Sequence, residues 1–86
     1  MGKKEKIDFW LIPTLCAIYS YCGLSTGCHI PVEAIKKQLP QEAWGFLKRI
    51  LRKAESEGLI YRKGGTKSYG LTKSGLDLVR EACVGE

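Results

Sequence analysis

Histidine is almost missing from this 86-residue chain: there is one, His29, and the nine carboxylates form no cluster. These shortages remove the usual routes to catalysis, because acid–base work and nucleophile activation need a proton acceptor held beside its partner. Only Cys28 beside His29 is left, and chain neighbours rarely make a nucleophile–base pair, so no enzymatic activity and no catalytic residue is expected. The four cysteines contain no CxxC pair and no established zinc spacing, and no metal or other cofactor is expected. No apolar run reaches the roughly 18 residues of a membrane-spanning helix, since residues 9–19 are too short and contain Pro13. That stretch follows Lys3, Lys4 and Lys6 much as a signal peptide would, yet no small-residue cleavage site comes after it. The sequence therefore reads as a soluble, cytoplasmic protein with no membrane partner.

The cysteines admit more than one reading. Cys16 and Cys22, if both lie on the first helix, stand about 9 Å apart along its axis, too far to bridge. Cys22 and Cys28 flank GLSTG, a turn that brings them within reach, and His29 follows. The first reading is that all four are small buried hydrophobes. A Cys22–Cys28 redox pair, or a Cys22, Cys28, His29 metal site, stays open beside it.

What the chain does have is positive charge, and it is concentrated. The net charge is +5. Residues 36–73 carry ten Lys or Arg against Glu42, Glu55 and Glu57, residues 1–35 balance three against three, and residues 74–86 are net acidic. A basic middle segment points to a polyanion, above all a nucleic acid, with an anionic membrane surface as the weaker alternative.

Apolar residues make up 44% of the chain, enough for one small globular domain over residues 7–86, preceded by MGKKEK (1–6) as a disordered charged tail. A first helix runs to about Cys22, with Pro13 at its start or kinking a longer helix that begins near Asp8, and Gly23 stops it. Phe9, Trp10, Leu11, Ile12, Leu15, Ile18, Tyr19 and Tyr21 cover most of its circumference, which predicts a second apolar surface for self-association. Cys28–Ile30 is extended before Pro31, and VEAIKKQL forms a second helix that Pro40 ends. Residues 41–57 then read as one long helix with Ala43, Trp44, Phe46, Leu47, Ile50, Leu51 and Ala54 on the core side. Gln41, Gly45, Lys48, Arg49, Arg52 and Lys53 form a cationic rail opposite. Gly58 closes that helix, LIYRK and SYGL form a hairpin around GGTK, and Thr72 caps a last helix from Lys73 to about Cys83.

The stretch from Leu47 to Gly75, LKRILRKAESEGLIYRKGGTKSYGLTKSG, resembles winged helix-turn-helix proteins, in particular small archaeal and bacterial MarR-like and PadR-like regulators. These end a recognition helix in Leu-Glu-x-x-Gly-Leu-Ile, continue through a basic hairpin and close on Tyr-x-Leu-Thr-x-x-Gly. This chain carries Ala54-Glu55-Ser56-Glu57-Gly58-Leu59-Ile60 and Tyr69-Gly70-Leu71-Thr72-Lys73-Ser74-Gly75. The resemblance implies an α+β fold with a three-helix core, a two-stranded β wing and a C-terminal helix. It covers the second half of the chain closely and the first half only in layout. Where those regulators often show Ser-x-Ser-Thr-Val, this chain has Gln41-Glu42-Ala43-Trp44-Gly45-Phe46-Leu47, and Glu42 would repel a phosphate.

Charge and resemblance together predict sequence-specific binding of double-stranded DNA by a transcriptional regulator. The recognition helix 41–57 would enter the major groove, with Gln41, Gly45, Lys48, Arg49, Arg52 and Lys53 facing DNA. Lys36 and Lys37 of the second helix, and Arg62, Lys63 and Lys67 of the wing (59–71), would hold the backbone. A homodimer through the first and last helices would present two recognition helices to a palindromic site. The alternative is a winged-helix interaction module that docks on a larger assembly through its apolar first helix.

Overall fold

In the computed structural model, which describes residues 3–23, 25, 27–65 and 67–84, Pro13 lies in the interior of a twenty-residue helix, α1, Lys3–Cys22. Proline has no N–H to give the carbonyl one turn back. Next to it the buried Thr14 turns its hydroxyl onto the Trp10 carbonyl at 2.7 Å. Because α1 begins at Lys3, residues 3–6 are helical, which corrects the charged-tail reading; Met1 and Gly2 lie outside the described residues. Contacts to a later helix hold this first part of α1: the Lys6 ammonium lies 5.6 Å from the Phe46 ring centre, and Asp8 is paired with Lys53. Gly23 (φ +66°) ends the helix, its N–H donating to the Tyr19 carbonyl.

The chain continues through β1 (Ile30–Pro31), α2 (Val32–Gln38), α3 (Gln41–Trp44), α4 (Leu47–Ser56), β2 (Ile60–Arg62), β3 (Ser68–Leu71) and α5 (Lys73–Val79), which passes into a π-helical segment, Arg80–Val84. This is an α+β chain with five α-helices and an antiparallel sheet of order β1-β3-β2 among the described residues. The sheet has three strands where the sequence predicts a two-stranded hairpin. Ile30 and Pro31 pair with Tyr69 and Ser68. The third strand follows from Pro31: the residue before it is forced to be extended, and the missing proline N–H does no harm on an edge strand.

Residues 41–57 do not form a single helix. Phe46 (φ −107°, ψ −4°) leaves helical geometry, and its N–H returns only three residues, to the Ala43 carbonyl. Gly45 is a poor helix former, and here it sits in a turn between a four-residue α3 and a ten-residue α4. The end of α4 follows the sequence closely. Gly58 (φ +74°) donates to the Glu55 carbonyl and Leu59 to the Ala54 carbonyl, the paired bonds of a Schellman stop. Thr72 caps α5 by accepting from the Gly75 N–H at 3.1 Å, while its hydroxyl donates to the Gly58 carbonyl. The two helix ends are thereby tied together.

The core lies where α1 meets α4, α5 and β3. Leu15 and Ile18 of α1, Ile30, Ile35, Ile50, Leu71 and Val79 are fully buried, and each such side chain contributes about 1.5–3 kcal/mol. The cysteines are paired, which corrects the reading of them as free hydrophobes. Cys16 bridges to Cys83 (Cα–Cα 6.0 Å) and Cys22 to Cys28 (5.5 Å). With its sulfurs bonded to each other, the second pair no longer offers thiolates to a metal at His29. No helix among the described residues is long and apolar enough to cross a membrane.

Candidate nucleic-acid interface

Leu47, Ile50, Leu51 and Ala54 of α4 face inward, so Lys48, Arg49 and Arg52 are left exposed on the outer side. The short link through Leu39 and Pro40 leads from α2 into α3, and Lys36 of α2 lies with Leu47 and Lys48 of α4 around one cleft. In the β2–β3 hairpin Arg62 pairs with Tyr69 across the ladder, and Arg62, Lys67 and Tyr69 face the same pocket as Lys36 and Lys48.

A cleft of about 510 Å³ opens between these three elements. Lys36 from α2, Lys48 from α4, and Arg62 and Lys67 from the hairpin line it, with Glu33 the one acidic residue among them. Val32, Leu47, Leu51 and Tyr69 provide an apolar floor. Four cations thus stand around one concavity with a single carboxylate, which makes the local field positive.

Trp44 forms a wall of the cleft and is 38% exposed, although the helical wheel puts it in the core. The wheel fails because the helix breaks at Gly45, one residue later. The indole N–H donates to the Lys36 carbonyl at 2.9 Å and the Leu39 carbonyl at 3.1 Å, satisfying carbonyls at the end of α2. The Lys36 ammonium lies 5.0 Å from the ring centre. Trp44 therefore clips α2 to α3 and fixes Lys36 at the cleft. Its one sequence signal is an aromatic residue directly before a glycine in an otherwise unbroken helical pattern.

The other residues singled out from sequence divide into three sets. Arg49 and Arg52 on α4, Lys37 on α2 and Lys63 after β2 are exposed and lie outside the lining of the cleft. Gln41 and Gly45 are exposed on α3 and the turn that follows it, also outside the lining. Lys53 is turned away from the others, 3.0 Å from Glu57 and 3.4 Å from Asp8. Hydrogen bonding to Glu57, then to Asp8, raises its pKa above the usual 10.5. Its charge is committed to joining α4 to α1.

Comparison of the chain with protein-family models, with curated proteins and with solved structures finds no match.

Proposed function

We propose that this chain binds double-stranded DNA as a winged helix-turn-helix protein and regulates transcription. In this reading α2 and α4 are the helix-turn-helix pair and the β2–β3 hairpin is the wing. The observation that carries it is the convergence of Lys36, Lys48, Arg62 and Lys67 from those three elements on one cleft. At ten residues α4 is about 15 Å long, suited to lie in a major groove about 12 Å wide. Gln41 and Lys48 are the base-reading candidates, Arg49 and Arg52 serve bases or phosphates, and Lys36, Lys37, Arg62, Lys63 and Lys67 hold the backbone. Lys53 contributes through the α1 contact instead.

The test is fluorescence anisotropy with random-sequence duplex at two salt concentrations. About six phosphate contacts give a slope of log affinity against log salt near roughly −5, and a flat dependence sinks the reading. Binding as a homodimer through α1 and α5 would set two copies of α4 about 34 Å apart on a palindrome. Light scattering that finds only monomer at high micromolar concentration rules this out. A DNA-binding role places the chain in the cytoplasm. Two disulfides there are unusual outside hyperthermophiles and otherwise belong to oxidising compartments.

A second reading is supported by α1, where Phe9 is 69% and Tyr21 58% exposed. Large exposed apolar side chains suit an interaction module that docks on a larger assembly. Charge reversal of Arg49 and Arg52 separates the two: it abolishes duplex binding and leaves docking through α1 intact.

A further inference from the structure

The Cys22–Cys28 bridge lies outside the cationic cleft but is joined to it through the backbone. From Cys28 the chain passes exposed His29 into β1, which pairs with β3. The Val32 N–H then donates to the Lys67 carbonyl at 2.8 Å, fastening the start of α2 to a residue that lines the cleft. The Cys28 carbonyl accepts from the Tyr61 hydroxyl at 3.4 Å. It also packs so closely on β3 that a Cβ placed on Gly70 would fall 2.5 Å from it. A displacement of Cys28 is therefore felt at both hairpin strands. β1 has only two residues, so its ladder with β3 is short and its position rests on Ile30 in the core, the Val32 bond and the nearby Cys22–Cys28 bridge.

We propose that the Cys22–Cys28 disulfide is a redox control on the cleft. Oxidised, it holds β1 against β3 and fixes Arg62 and Lys67 relative to Lys36 and Lys48. Reduced, it frees β1, and the four cations lose their common geometry. This rests on the duplex-binding reading. The reductant is a dithiol: one of its thiolates attacks a bridge sulfur, the S–S bond breaks, and the other cysteine leaves as a thiolate and takes a proton. The reductant's second thiol then displaces the first cysteine, which is protonated in turn, and the reductant departs as its own disulfide. Both cysteines are half-buried at the margin of the core, and Ser25, Gly27 and His29 around them are exposed, so the loop that the bridge closes borders solvent. Its loop spans six residues against 67 for Cys16–Cys83. The short loop gains much less closure entropy, so it opens without unfolding a domain that the long bridge still closes.

The experiment compares duplex affinity, at one salt concentration, of the oxidised chain, the chain in excess dithiol, a C22S/C28S variant and a C16S/C83S control. Opening Cys22–Cys28 by dithiol or by substitution is expected to weaken binding roughly tenfold, the result of reducing the competent population to about a tenth. Reoxidation restores the wild-type chain, and the control still responds to dithiol. If C22S/C28S does not fold, the control supplies the comparison, since Cys22–Cys28 is its only bridge. Equal affinity in every state, with duplex binding intact, overturns the proposal. If no state binds duplex, the DNA reading fails separately, and amide exchange then decides the coupling. Faster exchange at Val32 and Lys63 in the opened forms supports control of the hairpin, and unchanged exchange refutes it.

Discussion

Lys53 Nζ lies 3.4 Å from Asp8 Oδ1, so a lysine that belongs to the cationic face of α4 by sequence is turned back onto α1. Its pKa is raised by hydrogen bonding to Glu57 and then to Asp8. A group whose folded pKa is raised adds stability below its unfolded value and loses that contribution as pH climbs through the folded one. The melting-temperature difference between wild type and Lys53→Gln should therefore be constant from neutral pH to about pH 9 and close at strongly alkaline pH. It will be small, because the pair is partly exposed and screened by solvent. Lys53→Gln should also leave duplex affinity within about twofold, where Arg52→Gln weakens it by a larger factor.

The cleft makes a separate prediction about salt. If Lys67 neutralises one phosphate, Lys67→Ala should weaken binding to all duplex sequences alike and make the slope of log affinity against log salt shallower by about 0.9. Lys48→Ala, on the face that would read bases, should instead change the preferred site. Selection from a random duplex library with each variant tells the two behaviours apart, and identical outcomes would mean that the cleft does not divide backbone from base contacts.

The parts of the fold that sequence shows clearly are those set by neighbouring residues. The inward face of α4, the Gly58 stop and the Thr72 cap each depend on hydrogen bonds or periodicity within one or two turns. What sequence hides is either non-local or set by competition between elements. Cys16 and Cys83 are 67 residues apart, and nothing in their spacing links them. β1 is too short to show alternation. The break at Gly45–Phe46 goes with the bonds of Trp44 to the terminal carbonyls of α2, a contact invisible to a wheel built on residues 41–57 alone. At the candidate site the charges are therefore legible in the sequence and the aromatic wall is not.

Cys16–Cys83 is the bridge on which global stability should depend. Closing a 67-residue loop limits the unfolded chain by about 4 kcal/mol, and closing the six-residue loop by about 2 kcal/mol. C16S/C83S should thus lower the melting temperature about twice as much as C22S/C28S. Calorimetry of the two variants under oxidising conditions checks the order, and a larger loss in C22S/C28S would show that the short loop does more than constrain the unfolded state.

Gly45 and Gly70 differ in what an added side chain would meet. A Cβ on Gly70 would meet the Cys28 carbonyl at 2.5 Å and the Tyr61 ring at 2.6 Å. Gly70→Ala must therefore push β1 or Tyr61 aside, at a cost of about 1–3 kcal/mol in urea unfolding. Gly45 has φ −66°, and a methyl group added there would find no atom within 4 Å. Gly45→Ala should accordingly be neutral or stabilise by up to about 1 kcal/mol through the unfolded chain. If duplex backbone approaches this turn, the same alanine weakens DNA binding while leaving the fold as stable as before or more so. A loss of affinity without a loss of stability would place Gly45 at the interface, and unchanged affinity would show that the turn needs glycine for neither purpose.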